Sequence, residues 1–190
     1  EKNKVRGLLK TNGIWEGTPF VVVNQMARWE TKQWGVEKFA DLCSEVINKF
    51  SCRVVLVGAF SGKENKEVVA LTDNRSVDLS GMTTLKELAY LMSLSQMMIT
   101  VDSGPMHIAA AVGVPVIAIF GPTAPWRTGP YGGIHTVVRK ELPCSPCFSD
   151  ICKDKNTMCM KEIQVKDVLK AVEAQVHKSK ERVSGLRIAT

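Results

Sequence analysis

No apolar run in the sequence reaches the length a membrane span requires. The opening stretch, EKNKVRGLLKTNG, lacks the apolar centre of a secretory leader. Aromatic residues make up only 6% of the chain and do not interleave with the basic ones, which argues against a stacking platform for nucleic acid. No internal repeat is present, and no initiator Met stands at the start. The charged, helix-like beginning reads as the remnant of a linker, residues 1–18, cut from a longer protein. What is there is ordinary globular material: 190 residues, 45% hydrophobic, enough for one domain with a real core. Lys and Arg outnumber Asp and Glu by 25 to 19, and this balance favours an anionic partner. Both ends are rich in basic residues, and 179–190 reads as a basic tail. Six cysteines without a leader point to a reducing compartment and to free or metal-bound thiols.

Between 19 and 178 strand-like and helix-like segments alternate. PFVVV (19–23), RVVLVG (53–58), SVDLS (76–80), MMITV (97–101), VPVIAIF (114–120) and IHTVVR (134–139) read as strands. Helical periodicity covers 35–50, 63–72, 83–95, 108–113 and 165–178. The third of these opens with the capping-box pattern Thr84-x-x-Glu87. Strands that are apolar throughout, each followed by an amphipathic helix, imply an α/β fold. The expectation is a Rossmann-like doubly wound parallel sheet of about six strands, with a Cys-rich loop at 143–160.

The stretch VDSGPMHIAAAVGVPVIAIFGPT, Val101 to Thr123, carries the chemistry. An acid, a hydroxyl, a glycine and a proline sit where a strand ends and a helix begins. Ser103 or Asp102 can cap the free N–H groups, Gly104 lets a ligand approach the backbone, and Pro105 suits the first helical turn. Gly113 reads as the helix's left-handed stop. Such a cup attracts anions, yet an ionised Asp102 would repel a phosphate. Phosphate on Ser103, Gly104 and backbone amides, with hydroxyls on Asp102, describes a nucleotide sugar. Simple capping by Asp102 or Ser103 is the competing explanation. GAFSGKENKE, after the second strand, is not a P-loop: Gly58 to Lys63 is one residue short and Glu64 replaces the hydroxyl residue.

The stretch DSGPMHIAAAVGVPVIAIFGPT, followed by WRTGPYG, resembles the donor-binding signature of the ADP-heptose:lipopolysaccharide heptosyltransferases, glycosyltransferase family 9. ARWETKQWGVEKFADL (27–42), LSGMTTLKELAYLM and the Cys-rich LPCSPCF segment resemble further parts of that family, in order, from about Pro19 to Val176. The resemblance implies the C-terminal half of a two-domain GT-B transferase, the half that holds ADP-heptose. It implies that the lipopolysaccharide core acceptor and the general base belong to a preceding domain, and that this chain alone binds ADP without catalysing transfer. It further implies a cytoplasmic enzyme, working without a required cofactor or nucleic acid at the inner face of the inner membrane, where the basic ends could graze anionic lipid. A GT-B domain for another nucleotide sugar, such as a UDP-sugar, or a basic metal-stapled binding module, are the alternatives.

On this resemblance Lys32 stabilises the leaving diphosphate, against a plain reading as a solvated loop lysine. Arg28 assists it, and Trp34 is packing. Asp102, Ser103 and Gly104 form the donor cup, and His107 reaches sugar or phosphate, against a buried core histidine. Gly81, Met82 and Thr83 lie where the family cradles adenine, with Met82 equally readable as core. Thr123 lines the same cleft, and Arg127 either joins it or holds its own loop together. No acid stands where the family offers one to the ribose. Phe60 or Ser61 occupies that place, which leaves Glu64 as a candidate. Cys144, Cys147, Cys152 and Cys159 could wrap a structural zinc, although a compact loop of reduced thiols fits the single C-x-x-C better. Cys43 and Cys52 read as core.

Overall fold

Strands in which every residue is apolar have no face to offer water, so the sheet they make must be covered on both sides. The computed structural model describes residues 1–60 and 62–185. In chain order it runs α1 (Lys2–Thr11), β1 (Phe20–Asn24), a 3-10 turn (Glu30–Lys32), α2 (Val36–Phe50), β2 (Arg53–Leu56), α3 (Lys63–Leu71) and β3 (Ser76–Asp78). Then follow α4 (Leu85–Ser93), β4 (Met97–Val101), α5 (Gly104–Ala111), β5 (Val116–Phe120), α6 (Pro125–Thr128), β6 (Thr136–Arg139), α7 (Met158–Lys161) and α8 (Val165–Gly185). Among the described residues the sheet has six strands in the order β3-β2-β1-β4-β5-β6, and every neighbouring pair is parallel. This is the doubly wound Rossmann order, as the alternation implied, with the direction of winding reversing between β1 and β4.

Every residue of β1, β4 and β5 is buried. The pleat sends alternate side chains to opposite faces. Val21 and Val23 pack with Phe39, Leu42 and Val46 of α2 and with Val172 of α8. Phe20 and Val22 pack on the other side with Leu91 and Met92 of α4, Met106 of α5, and Val5 and Leu9 of α1. Cys43 and Cys52 are buried, as read, and burial pushes the Cys43 thiol up to about 12. Trp34 is also a packing residue: it meets Phe39 edge-on, and its Nε1–H donates to the Ile163 carbonyl at 2.8 Å.

Two expectations change, and a third is refined. Residues 1–18 are not a bare linker: α1 seals one face of the sheet, with Val5 and Leu9 inside the core and Lys4 bonded to Glu87. Its helix-like character is legible, but its packing is not, because Val5, Leu8 and Leu9 pack against residues distant in the sequence. The apolar run 108–113 covers only the later part of α5, which starts at Gly104, with Pro105 in its first turn as its place after the strand suggested. The closing helix extends to Gly185, so the tail expected from 179 starts as helix; residues 186–190 lie outside the described residues. Among the described residues no helix is long and apolar enough to cross a membrane.

Candidate functional site

In a doubly wound sheet the ligand crevice lies beyond the carboxyl ends of the strands, at the point where the winding reverses. An open cleft of about 810 Å³ lies there, lined by Asn24, Arg28, Trp29, Lys32, Phe60, Asp102, Ser103, Gly104 and His107 among others. Lys32, Arg28, Asp102, Ser103, Gly104 and His107, drawn from two distant parts of the sequence, therefore share one cleft. His107 is exposed on its wall rather than buried in the core.

The mouth of α5 is built by side chains that turn away from it. Lys32 Nζ donates to Asp102 Oδ2 at 2.8 Å, and the Thr123 hydroxyl donates to the same oxygen at 2.7 Å. Thr128 adds a longer contact of 3.5 Å. Asn24, the polar end of an apolar strand, donates its Nδ2 to Ser103 Oγ at 3.0 Å and to Thr100 Oγ1 at 3.2 Å. Thr100 spends its own hydrogen on the Val101 carbonyl at 2.8 Å. The hydrogen shared between the Thr100 and Ser103 hydroxyls, 3.0 Å apart, is therefore Ser103's. With both roles of its hydroxyl engaged, Ser103 offers a ligand its backbone N–H.

Neither Asp102 nor Ser103 caps α5, so capping does not account for these residues. Pro105 has no N–H, and the open turn is left with its remaining amides and the positive end of the helix dipole. Gly104 is needed by neither packing nor backbone: a Cβ there would meet nothing within 4 Å. Its smallness keeps the wall open. Gly113, by contrast, has φ +76° and ends α5 in the left-handed conformation expected of it. Lys32 also lies 4.4 Å from the centre of the Trp29 ring, so an aromatic face and a carboxylate hold the ammonium from two sides. A lysine ammonium has three N–H donors, which leaves capacity for a bound anion.

Other expected residues sit elsewhere. Thr123 is 2% exposed and reaches Asp102 from behind instead of lining the cleft. Gly81, Met82 and Thr83 are not on its wall, but Gly81 N–H donates to Gly58 O at 3.0 Å, one residue before Ala59 and Phe60, which are. Gly81 supplies the turn with φ +72°. Met82 is 48% exposed and so is not core, and Phe60 stands 66% exposed nearby in sequence to Gly58. Glu64 is absent from the wall; its carboxylate folds beside Gly62. Ser61 lies outside the described residues. Arg127 stacks over Phe148 at 5.1 Å and so ties its loop to the Cys-rich segment.

Cys144, Cys147, Cys152 and Cys159 are free thiols. Among the described residues no group of three or more His, Cys, Asp or Glu is placed to hold a metal ion. Burial, then the neighbouring thiols, raises Cys159, whereas hydrogen bonds from the Thr157 and Asn156 backbone lower Cys152. The loop is a brace. Thr31, beside Lys32, donates to the Ser149 carbonyl at 2.9 Å. Ser145 Oγ donates to Gly121 O at 2.6 Å, and Phe148 N–H to Pro122 O at 2.8 Å.

Sequence reasoning missed Asn24, Trp29 and Thr128. Asn24 carried a signal, a polar side chain closing the strand FVVVN. Trp29 and Thr128 carried none, because their roles depend on how two loops fold toward each other.

Residues 3–158 match the family model described as glycosyltransferase family 9 (heptosyltransferase). The lipooligosaccharide heptosyltransferase 2 of Campylobacter jejuni is 28% identical over 142 residues, 73% of this chain and 44% of the relative. The fold is shared with Escherichia coli ADP-heptose LPS heptosyltransferase II, at a TM-score of 0.77 and 22% identity over 95% of this chain and 53% of that one. It is also shared with E. coli heptosyltransferase WaaC solved with ADP, at a TM-score of 0.66 and 20% identity over 82% of this chain and 44% of the other. The chain thus spans about half the length of the relatives it matches.

Proposed function

The chain belongs to glycosyltransferase family 9, the heptosyltransferases, and from that premise we propose that it forms the donor side of such an enzyme, binding ADP-heptose at the mouth of α5. The observation that carries this reading is the meeting of Lys32 with an uncapped helix end in one cleft. A diphosphate there would accept from the Ser103 and Gly104 amides and from the Lys32 ammonium. Exposed Phe60 and Met82, on adjoining loops, suit the adenine, and Arg28 and His107 add donors along the wall.

In the transfer, an acceptor hydroxyl oxygen attacks the anomeric carbon as the bond from that carbon to the diphosphate oxygen breaks. ADP leaves with the electron pair, and the developing negative charge falls where Lys32 and the helix end already point. No resident metal is invoked. The acceptor is the lipopolysaccharide core, and the proton of its hydroxyl goes to a general base on the preceding domain that the family resemblance implies. The setting is the cytoplasmic face of the inner membrane, with the basic ends of the chain near anionic lipid.

Thermal-shift titration with ADP, UDP and GDP tests the donor. ADP alone is expected to raise the midpoint, with about 2.7 kcal/mol of stabilisation at a hundredfold excess over Kd. A larger shift with UDP would transfer the site to a UDP-sugar, and no shift with any of the three would end the nucleotide reading. The 190-residue chain by itself is expected to transfer no sugar.

A further inference from the structure

Thr123 is too deeply buried to touch a ligand, yet it makes the shortest bond to the carboxylate beneath the cleft, 2.7 Å to Asp102 Oδ2. We propose that Thr123 is a positioning residue for departure of the diphosphate: through Asp102 it fixes the Lys32 ammonium at the mouth of α5. The inference rests on the donor reading above.

An ionised carboxylate only accepts hydrogen bonds. Lys32 and both threonine hydroxyls converge on Oδ2 alone, so Oδ1 takes none of these bonds. A carboxylate gripped at one oxygen cannot turn freely about its last torsion, and the ammonium bonded to that oxygen is held with it. The grip is rigid because of where Thr123 hangs. It lies three residues past the end of β5, whose register against β4 pairs Val101 with Ile119 and so brings the 121–123 segment alongside Asp102. The Cys-rich loop then fastens both arms of the clasp. Ser145 and Phe148 hold the Gly121 and Pro122 carbonyls, and the Ser149 carbonyl holds Thr31, next to Lys32. The Thr123 hydroxyl therefore sets two things at once: where the cation stands, and which oxygen of Asp102 stays available to a hydroxyl of the donor.

Calorimetric titration of the whole chain with ADP, and with adenosine as the probe lacking phosphate, tests this. Thr123→Val is expected to weaken ADP roughly fivefold, part of what a hydrogen bond to a charged group contributes, and to leave adenosine unchanged. Thr123→Ser is expected to restore ADP affinity, and Thr123→Ala serves in its place should valine pack badly. In a Lys32→Ala background, Thr123→Val is expected to cost nothing further, because the group it positions is gone. Equal loss for ADP and adenosine, or full additivity with Lys32→Ala, would overturn the proposal by reducing Thr123 to a structural role. Unchanged ADP affinity in Thr123→Val, with Lys32→Ala still damaging, would overturn it while sparing the donor reading. A wild-type chain that binds no ADP would overturn both.

Discussion

Helices α4 and α5 start at the same edge of the same sheet, one after β3 and the other after β4, and each is preceded by residues suited to capping. Their ends differ. At α4, Thr84 Oγ1 accepts the Glu87 N–H at 3.3 Å, and the Glu87 carboxylate accepts the Thr84 N–H at 2.8 Å. Lys4 of α1 then closes on Glu87 at 2.8 Å. At α5 the corresponding side chains are engaged elsewhere: Ser103 with Asn24 and Thr100, Asp102 with Lys32 and Thr123. The first helix satisfies its orphan donors from within the chain. The second spends its cap-type residues on building a wall and leaves its amides to a ligand. The comparison teaches that a good capping residue before a helix is not evidence of a cap. What decides is whether nearby strand ends offer that side chain a stronger partner.

Substitutions at the two ends should separate binding from stability. The largest effect is expected at the open end. Gly104→Ala places a methyl group in space that no protein atom occupies. It is expected to weaken ADP roughly tenfold, as an overpacked contact does, while the thermal midpoint holds or rises slightly. A drop in midpoint with unchanged affinity would make Gly104 a structural residue. At the closed end the effect is expected to be smaller and of the opposite kind. Thr84→Ala should cost about 1 kcal/mol, or roughly 3 °C in midpoint, with ADP affinity untouched. The smallest effect concerns acid. The hydrogen bond from Lys4, ahead of that from the Thr84 backbone, holds Glu87 below the usual carboxylate range. Its contribution is thus complete above the ordinary carboxylate pKa and fades as pH falls through the lowered folded-state value. Glu87→Gln should flatten that acid limb of the stability curve, and an unaltered limb would remove Glu87 from the cap.

Much of this was legible in the sequence, for physical reasons. Fully apolar runs such as Val21–Val23 and Ile117–Phe120, alternating with amphipathic helices, fit central strands of a sheet covered on both faces, so the sheet and its parallel sense followed from pattern. Asp102 and Ser103 stood out at a strand end that opens a helix, with capping as the rival explanation. Lys32 was picked out by the family resemblance; the Rossmann order brings their loops side by side. The roles of Ser103 and Thr123 were not legible. Each depends on which hydroxyl hydrogen goes to which oxygen across strands that pair only in the folded sheet. The first segment reads as helix-like in the sequence, but its place in the core does not, because Val5 and Leu9 gain meaning only against Leu91 and Met92, more than eighty residues away. The Cys-rich loop drew attention by its thiols, yet its hydrogen bonds to the site run through serine and phenylalanine.

The contrast between the two helix ends can be read directly by titrating the isotopically labelled chain with ADP and following its amide resonances. The amides of Ser103 and Gly104 should shift strongly and saturate together with the nucleotide, while those of Leu85 and Lys86 at the closed end stay in place. Saturable binding of ADP that leaves Ser103 and Gly104 unmoved would contradict the account, because the diphosphate would then rest somewhere other than the mouth of α5.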